Sequence, residues 1–91
     1  MLRITELENG TTIRLRFDGT ISGESYADLD RILARYEPAA GKIIILDLAG
    51  VDFMTDQSAR KLALLRNDRW RIINCSPFIE TLLETMDRIE G

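Results

Sequence analysis

The sequence contains no histidine and a single cysteine, Cys75, among its 91 residues. Without histidine the chain cannot supply the base of a Ser-His-Asp or Cys-His catalytic group. A lone cysteine cannot close a disulfide within the chain, and neither a second cysteine nor a histidine completes a metal site beside it. The spacing of Asp47, Asp52 and Asp56 does not define a metal cage either. We therefore expect a protein that is not an enzyme and that uses no metal or cofactor.

Signals for phosphate binding and for membrane insertion are also missing. The chain has neither a GxxxxGK[ST] nor a GxGxxG motif, so a nucleotide cradle is not expected. Its formal charge of −3 gives no positive field for nucleic acid. The opening stretch carries Arg3, Glu6 and Glu8 where a signal peptide needs an unbroken apolar run, and no run approaches the length of a membrane span. These features predict a cytoplasmic protein that neither binds nucleic acid nor enters the membrane.

The apolar content is sufficient for one hydrophobic core. Hydrophobic residues make up 45% of the chain, and no Gly/Ser linker, low-complexity tract or internal repeat divides it. Residues 1–91 are therefore predicted to form a single domain.

Strand and helix periods alternate along the chain. Apolar residues recur at every second position at Leu2 and Ile4 and again at Ile13, Leu15 and Phe17, which predicts two half-buried strands. The Asn-Gly pair of "ENGT" between them predicts a tight turn and hence antiparallel pairing. A helical stripe follows, from a start as early as Ser22 to an end before Pro38. Its inward residues are Tyr26, Leu29, Ile32, Leu33 and Tyr36.

The second half of the chain predicts two strands, each followed by a helix. Residues 42–48 form an apolar run without alternation between Gly41 and Gly50, which is typical of a strand covered on both faces. A helix is predicted from Asp56 to Asn67, a strand over 69–74, and a last helix capped by Ser76. The core is predicted to include Ile43, Ile45, Leu46, Leu62, Leu65, Ile72 and Leu82.

The resulting order, β-β-α-β-α-β-α, predicts an α/β fold with a small mixed four-stranded sheet and three helices. Successive β-α-β crossovers imply parallel pairing of the later strands, and the opening hairpin adds one antiparallel strand. In such sheets the loops at the carboxyl ends of the parallel strands gather at one edge, where helix N-termini expose backbone N–H groups. The segment "VDFMTDQS" lies at that edge.

Four consecutive polar residues of that segment, Thr55, Asp56, Gln57 and Ser58, stand at a helix start. The simpler interpretation is that Thr55 or Asp56 is the N-cap, which typically contributes about 1 kcal/mol. The alternative is that this polar quartet also contacts a partner. Both interpretations stay open at the level of sequence.

The stretch "KIIILDLAGVDFMTDQSARKLALL" resembles the core signature of STAS domains, the fold of anti-sigma factor antagonists and of the cytoplasmic ends of sulphate transporters. "LRFDGTIS" and "INCSPFIETLLE" resemble further parts of the family pattern, so that the resemblance covers nearly the whole chain. It implies the mixed α/β fold derived above and a non-catalytic protein-protein interaction module. The implied partner is an anti-sigma or kinase-like regulator, and the alternative is an accessory role beside an ABC lipid-transport ATPase.

The resemblance also bears on phosphorylation. Family members carry Asp-Ser-Ser-Gly where this chain has the polar quartet, and a serine of that segment is phosphorylated by a partner kinase. In an ungapped alignment Asp56 replaces the first serine, which implies that the usual acceptor is missing and that Asp56 imitates the phosphorylated state. A shift of one residue would instead make Ser58 a possible phosphorylation site.

Three further features carry weaker interpretations. Ser22 and Ser25 of "SGES" can cap the first helix. Arg14 and Arg16 alternate with inward residues on the second strand, as a solvated face or as a site for an acidic partner. The oligomeric state and the role of Trp70 are left open, and Cys75 is expected to be a small buried residue.

Overall fold

The computed structural model describes residues 2–37, 41–66 and 69–90, and its elements follow the order β-β-α-β-α-β-α. This order confirms the predicted fold class. The strands are β1 (Leu2–Asn9), β2 (Thr12–Ile21), β3 (Ile43–Met54) and β4 (Trp70–Ile73), and the helices are α1 (Tyr26–Tyr36), α2 (Asp56–Leu65) and α3 (Pro77–Glu90).

The opening hairpin pairs β1 and β2 antiparallel, as predicted, but its turn lies one residue later than the Asn-Gly pair suggests. Asn9 pairs with Thr12 and stays in the strand, so the two linking residues are Gly10 and Thr11. Gly10 alone among them has positive φ, at 62°. A single glycine in the first central position is sufficient for a tight hairpin turn.

The sheet has the strand order β1-β2-β3-β4, with β2, β3 and β4 parallel to one another. The two crossovers step in the same direction across the sheet, and right-handed crossovers of this kind place their helices on the same face. One cluster accordingly joins the helices to that face of the sheet. Its members include Ile13, Leu15, Phe17, Leu29, Leu33, Ile44, Leu46, Leu48, Ala59, Leu62, Ile79 and Leu83.

The other face of the sheet carries no helix, which overturns part of the core prediction. Ile43 and Ile45 were expected in the core of a strand covered on both faces, but they are only half-buried on this uncovered face. Because both crossovers return over the same face, none of the three described helices packs on the opposite one. The other members of the predicted core are confirmed. Leu46 and Leu62 are buried, and Leu65, Ile72 and Leu82 pack against the cluster.

Strand β3 continues past Gly50, where the sequence predicted its end, as far as Met54. Gly50 pairs with Asp18 where the β2–β3 register is irregular. A Cβ at Gly50 would lie 1.9 Å from the Asp18 Oδ1 atom. The glycine therefore permits a close approach between two strands and does not end one.

The remaining boundaries differ from the predictions by a few residues. Helix α1 begins at Tyr26 and not at Ser22, because residues 23–25 form a turn. Helix α2 ends at Leu65, and its predicted end at Asn67, like Pro38, lies outside the described residues. Strand β4 ends at Ile73, before Asn74 with its φ of 59°. Trp70, whose role the sequence left open, is buried in the core.

Candidate functional site

The carboxyl ends of β2, β3 and β4 lie at one edge of the sheet, and each strand leads there into a helix. We call this the carboxyl edge and define it as residues 20–26, 52–58 and 74–79. A backbone hydrogen bond of 3.1 Å from the Thr55 N–H to the Ile21 carbonyl joins its first two segments. The parallel sheet thus places "VDFMTDQS" and the N-termini of all three helices at one end of the molecule.

Thr55 is the N-cap of α2, as one of the two sequence interpretations held. Its backbone is extended, and its Oγ1 accepts a hydrogen bond of 3.2 Å from the Ser58 N–H. The same hydroxyl donates to the Ser58 Oγ at 3.0 Å. This side chain satisfies one of the N–H groups that a helix leaves without an intrahelical partner.

The other members of the polar quartet differ in exposure. Asp56 and Gln57 are exposed, and Asp56 occupies the first turn of α2, where the helix dipole favours negative charge. Ser58 is fully buried. Solvent at this edge therefore meets the carboxylate and the amide, whereas the Ser58 hydroxyl faces Thr55.

The loop before α1 uses its serines differently from the capping role predicted for them. Ser25 precedes the helix, but its side chain makes no capping hydrogen bond. It is buried, and its Oγ donates to the Thr20 carbonyl at 3.5 Å and lies 3.5 Å from the Ser22 Oγ. Thr20 in turn donates from its hydroxyl to Asp52 at 2.8 Å. These contacts hold the loop against the end of β3.

Two aromatic side chains that the sequence did not single out as a surface lie at the same edge. Phe53 and Phe78 stack with 6.0 Å between ring centroids and an interplanar angle of 16°. They remain 47% and 51% exposed. Phe78 lies outside the inward stripe of α3 formed by Ile79, Leu83 and Met86. Its position off that stripe is the sequence feature from which an exposed aromatic side chain could have been predicted. Exposed aromatic side chains are enriched where proteins bind each other.

Asp47 is buried in β3 and is fully engaged with neighbouring donors. It accepts from the Arg14 guanidinium, with Nε at 3.2 Å, from the Ala49 N–H at 3.0 Å and from the Asn74 side-chain amide at 3.1 Å. Burial alone would raise the pKa of this carboxyl, but the hydrogen bonds from Arg14, Ala49 and Asn74 outweigh it and hold the pKa below its ordinary value. The arrangement is a satisfied structural ion pair.

The described residues contain no group of three or more Cys, Asp or Glu side chains that could hold a metal ion. Cys75 is half-buried and packs against the core, and burial raises the pKa of its thiol. Over the same ranges, no helix combines the length and the apolar character that crossing a bilayer requires. The carboxyl edge therefore offers hydrogen-bonding groups, exposed carboxylates and an aromatic pair as its chemistry.

A solved structure that matches the chain covers its whole length. It is the anti-sigma factor antagonist SpoIIAA in its unphosphorylated form, with a TM-score of 0.61 over 100% of this chain and 99% of that chain. The chain has a STAS-like fold. The sequence identity is 15%, so the similarity establishes the fold. No protein-family model matches the sequence, and no curated protein does.

This STAS-like fold confirms the architecture that the sequence resemblance implied. The interpretation of the polar quartet as an altered phosphorylation segment stays a prediction. The structure brings Thr55, Asp56 and Gln57 together with Phe53 and Phe78 on one accessible edge, and it buries Ser58 beneath them.

Proposed function

We propose that this protein is a non-catalytic interaction module that presents its carboxyl edge, together with helix α2, to a protein partner. The observation that carries the proposal is the Phe53–Phe78 stack, which leaves about half of each aromatic side chain in solvent beside the polar quartet. Aromatic side chains in the centre of an interface commonly provide much of its binding energy. Their exposure on an isolated chain indicates a surface that is covered in a complex.

The charges of this edge indicate the character of the partner. Asp52, Asp56 and Glu24 are exposed there, so that a complementary surface would be basic. Arginine suits it well, since a guanidinium pairs with carboxylates and also stacks on aromatic rings. By analogy with SpoIIAA, which is named as an anti-sigma factor antagonist, the proposed partner is an anti-sigma or kinase-like regulator.

We further propose that the edge lacks the serine phosphoswitch. Asp56 stands where an acceptor serine is expected in the ungapped alignment, and it supplies a permanent negative charge at the helix start. The hydroxyl of Ser58 is buried against Thr55. A kinase could reach it only if the first turn of α2 opened.

Site-specific photo-cross-linking in the native cells tests the proposal. A photoreactive phenylalanine analogue at Gln57, which is exposed at the carboxyl edge, should capture one defined protein partner. The matched control carries the same analogue at Ala34, an exposed position near the other end of α1. Capture at position 57 and not at position 34 supports the proposal, whereas equal capture, or none at either position, contradicts it.

A further inference from the structure

The face of the sheet opposite the helices forms a second surface, distinct from the carboxyl edge. We call it the open face. It consists of side chains that alternate along each strand with the side chains of the core. Residues that pair between neighbouring strands form rows across this face. Its rows are Leu7–Arg14–Ile45–Arg71, Thr5–Arg16–Asp47–Ile73 and Arg3–Asp18.

The open face is basic although the chain is acidic. Among the described residues it carries four arginines against two aspartates, on a chain with a formal charge of −3. Asp47 is buried beneath Arg14, so its charge is engaged within the sheet. The second carboxylate, Asp18, lies 3.4 Å from the Arg16 guanidinium. The formal charge of these rows is therefore positive, opposite in sign to that of the whole chain.

The cations of the open face are arginines, and both lysines of the chain have partners elsewhere. Lys61 contacts Asp30 at 2.8 Å, and Lys42 lies 3.9 Å from Glu8. A guanidinium presents N–H groups in a planar fork that matches a carboxylate, which an ammonium does not. Arginine at these positions therefore favours oxyanions, which a protein segment supplies as carboxylates.

Apolar side chains lie between the arginines. Leu7 is 54% exposed, and Ile45 and Ile73 are half-buried. Arginine stems can cover part of such apolar surface while the charged ends stay in water. A flat basic surface with apolar side chains between its charges is complementary to a protein surface with the same spacing of carboxylates and apolar groups.

From this placement we infer that the open face is a second docking surface, which binds an acidic protein segment carrying apolar side chains. Carboxylates of that segment pair with Arg16 and Arg3, and its apolar side chains pack on Leu7 and Ile45. The inference does not depend on the proposed function of the carboxyl edge, because none of the residues in the three rows belongs to that edge.

A defined peptide probe tests the inference. The probe is a labelled synthetic peptide of alternating Glu and Leu, and its control is the peptide with Gln in place of Glu. Titrated into the isotope-labelled protein, the Glu peptide should shift backbone NMR signals of the open face, including those of Arg16 and Ile45. The Gln peptide should not, and added salt should weaken the binding of the Glu peptide.

Charge reversal locates the contact. Arg16→Glu should weaken the binding of the Glu peptide by at least about tenfold, because it places a negative charge opposite the negative charges of the peptide. Its matched control is Arg31→Glu on α1, since both arginines are exposed and ion-paired, Arg16 at 52% and Arg31 at 72%. Arg31→Glu should bind like the unmodified protein. Circular dichroism verifies folding, and Arg16→Gln provides a milder variant if the reversal disrupts the sheet.

The remaining outcomes overturn the inference. NMR signal shifts confined to the helices would show that the peptide does not bind at the open face. Equal losses of peptide affinity in Arg16→Glu and Arg31→Glu would show the same. Vesicles of phosphatidylglycerol that bind in an Arg16-dependent way, with no binding of the peptide, would assign the face to lipid. A variant with serine at Phe53 and Phe78 should bind the peptide as the unmodified protein does. Peptide binding at the open face can therefore be observed even if the carboxyl edge binds no partner.

Discussion

The Thr55 hydroxyl is joined twice to Ser58: it accepts from the Ser58 N–H at 3.2 Å and donates to the Ser58 Oγ at 3.0 Å. One side chain thereby starts helix α2 and satisfies a hydroxyl that is fully buried. The polar quartet thus divides into an inner pair, Thr55 and Ser58, and an outer pair, Asp56 and Gln57. The inner pair stabilises the helix start, and the outer pair is available to a partner.

The first prediction concerns that inner pair. Thr55→Ala should lower the free energy of unfolding by about 1 to 2 kcal/mol, because the helix loses its cap and the buried Ser58 hydroxyl loses its donor. Thr55→Ser, which keeps a hydroxyl, should retain most of the stability. Urea denaturation of the three proteins measures the difference. Equal losses in both variants would show that the hydroxyl contributes nothing.

The second prediction concerns phosphorylation. After incubation with ATP and a kinase that co-purifies with the protein, the intact mass should stay unchanged, because Ser58 is buried and the proposed ungapped alignment puts Asp56 in the place of the acceptor. Asp56→Ser should gain about 80 Da, one phosphoryl group, at the new exposed serine. The same gain mapped to Ser58 in the unmodified protein would show that the alignment shifted by one residue was right.

The third prediction follows from the depressed pKa of Asp47. A carboxyl with a lower pKa in the folded than in the unfolded state stabilises the fold above its unfolded pKa of about 3.9. That stability is lost as the pH falls through the folded pKa. Denaturation midpoints measured from about pH 6 to about pH 3 should fall less steeply for Asp47→Asn than for the unmodified protein. Parallel curves would contradict the lowered pKa.

The fourth prediction uses two neighbours in β3 whose side chains point to opposite faces. Leu46→Ala should cost about 2 to 5 kcal/mol, because Leu46 is fully buried under the helices and its truncation leaves a cavity. Ile45→Ala, on the half-buried open face, should cost clearly less. Chemical denaturation compares the two. A larger loss for Ile45 would reverse the assignment of the faces.

The sequence was sufficient for the element order and for the parallel pairing because both follow from local periodicity and from crossover rules. It was insufficient for the faces of β3. A run such as Ile43 to Leu46 is apolar at every position, so its period does not reveal which side is covered. That choice depends on the direction of both crossovers, which is a property of the whole sheet.

Local signals also failed where a tertiary contact decided the outcome. The sequence predicted that the strand ends at Gly50. In the structure Gly50 lies within β3, where its lack of a side chain leaves room for Asp18 of the neighbouring strand. At the candidate site the cap at Thr55 could be predicted, because N-cap chemistry is local. The Phe53–Phe78 stack could not, since the two rings belong to elements 25 positions apart that meet only when β3 and α3 are assembled.

The claim that the carboxyl edge binds a protein partner is tested most directly by one affinity. The dissociation constant of the partner captured at position 57 is measured for the unmodified protein and for the variant with serine at Phe53 and Phe78. We expect a loss of at least about 2 kcal/mol, roughly 30-fold in Kd, while Ala34→Ser, at an exposed position near the other end of α1, leaves Kd unchanged. An unchanged Kd in the double variant would show that the Phe53–Phe78 stack does not bind that partner.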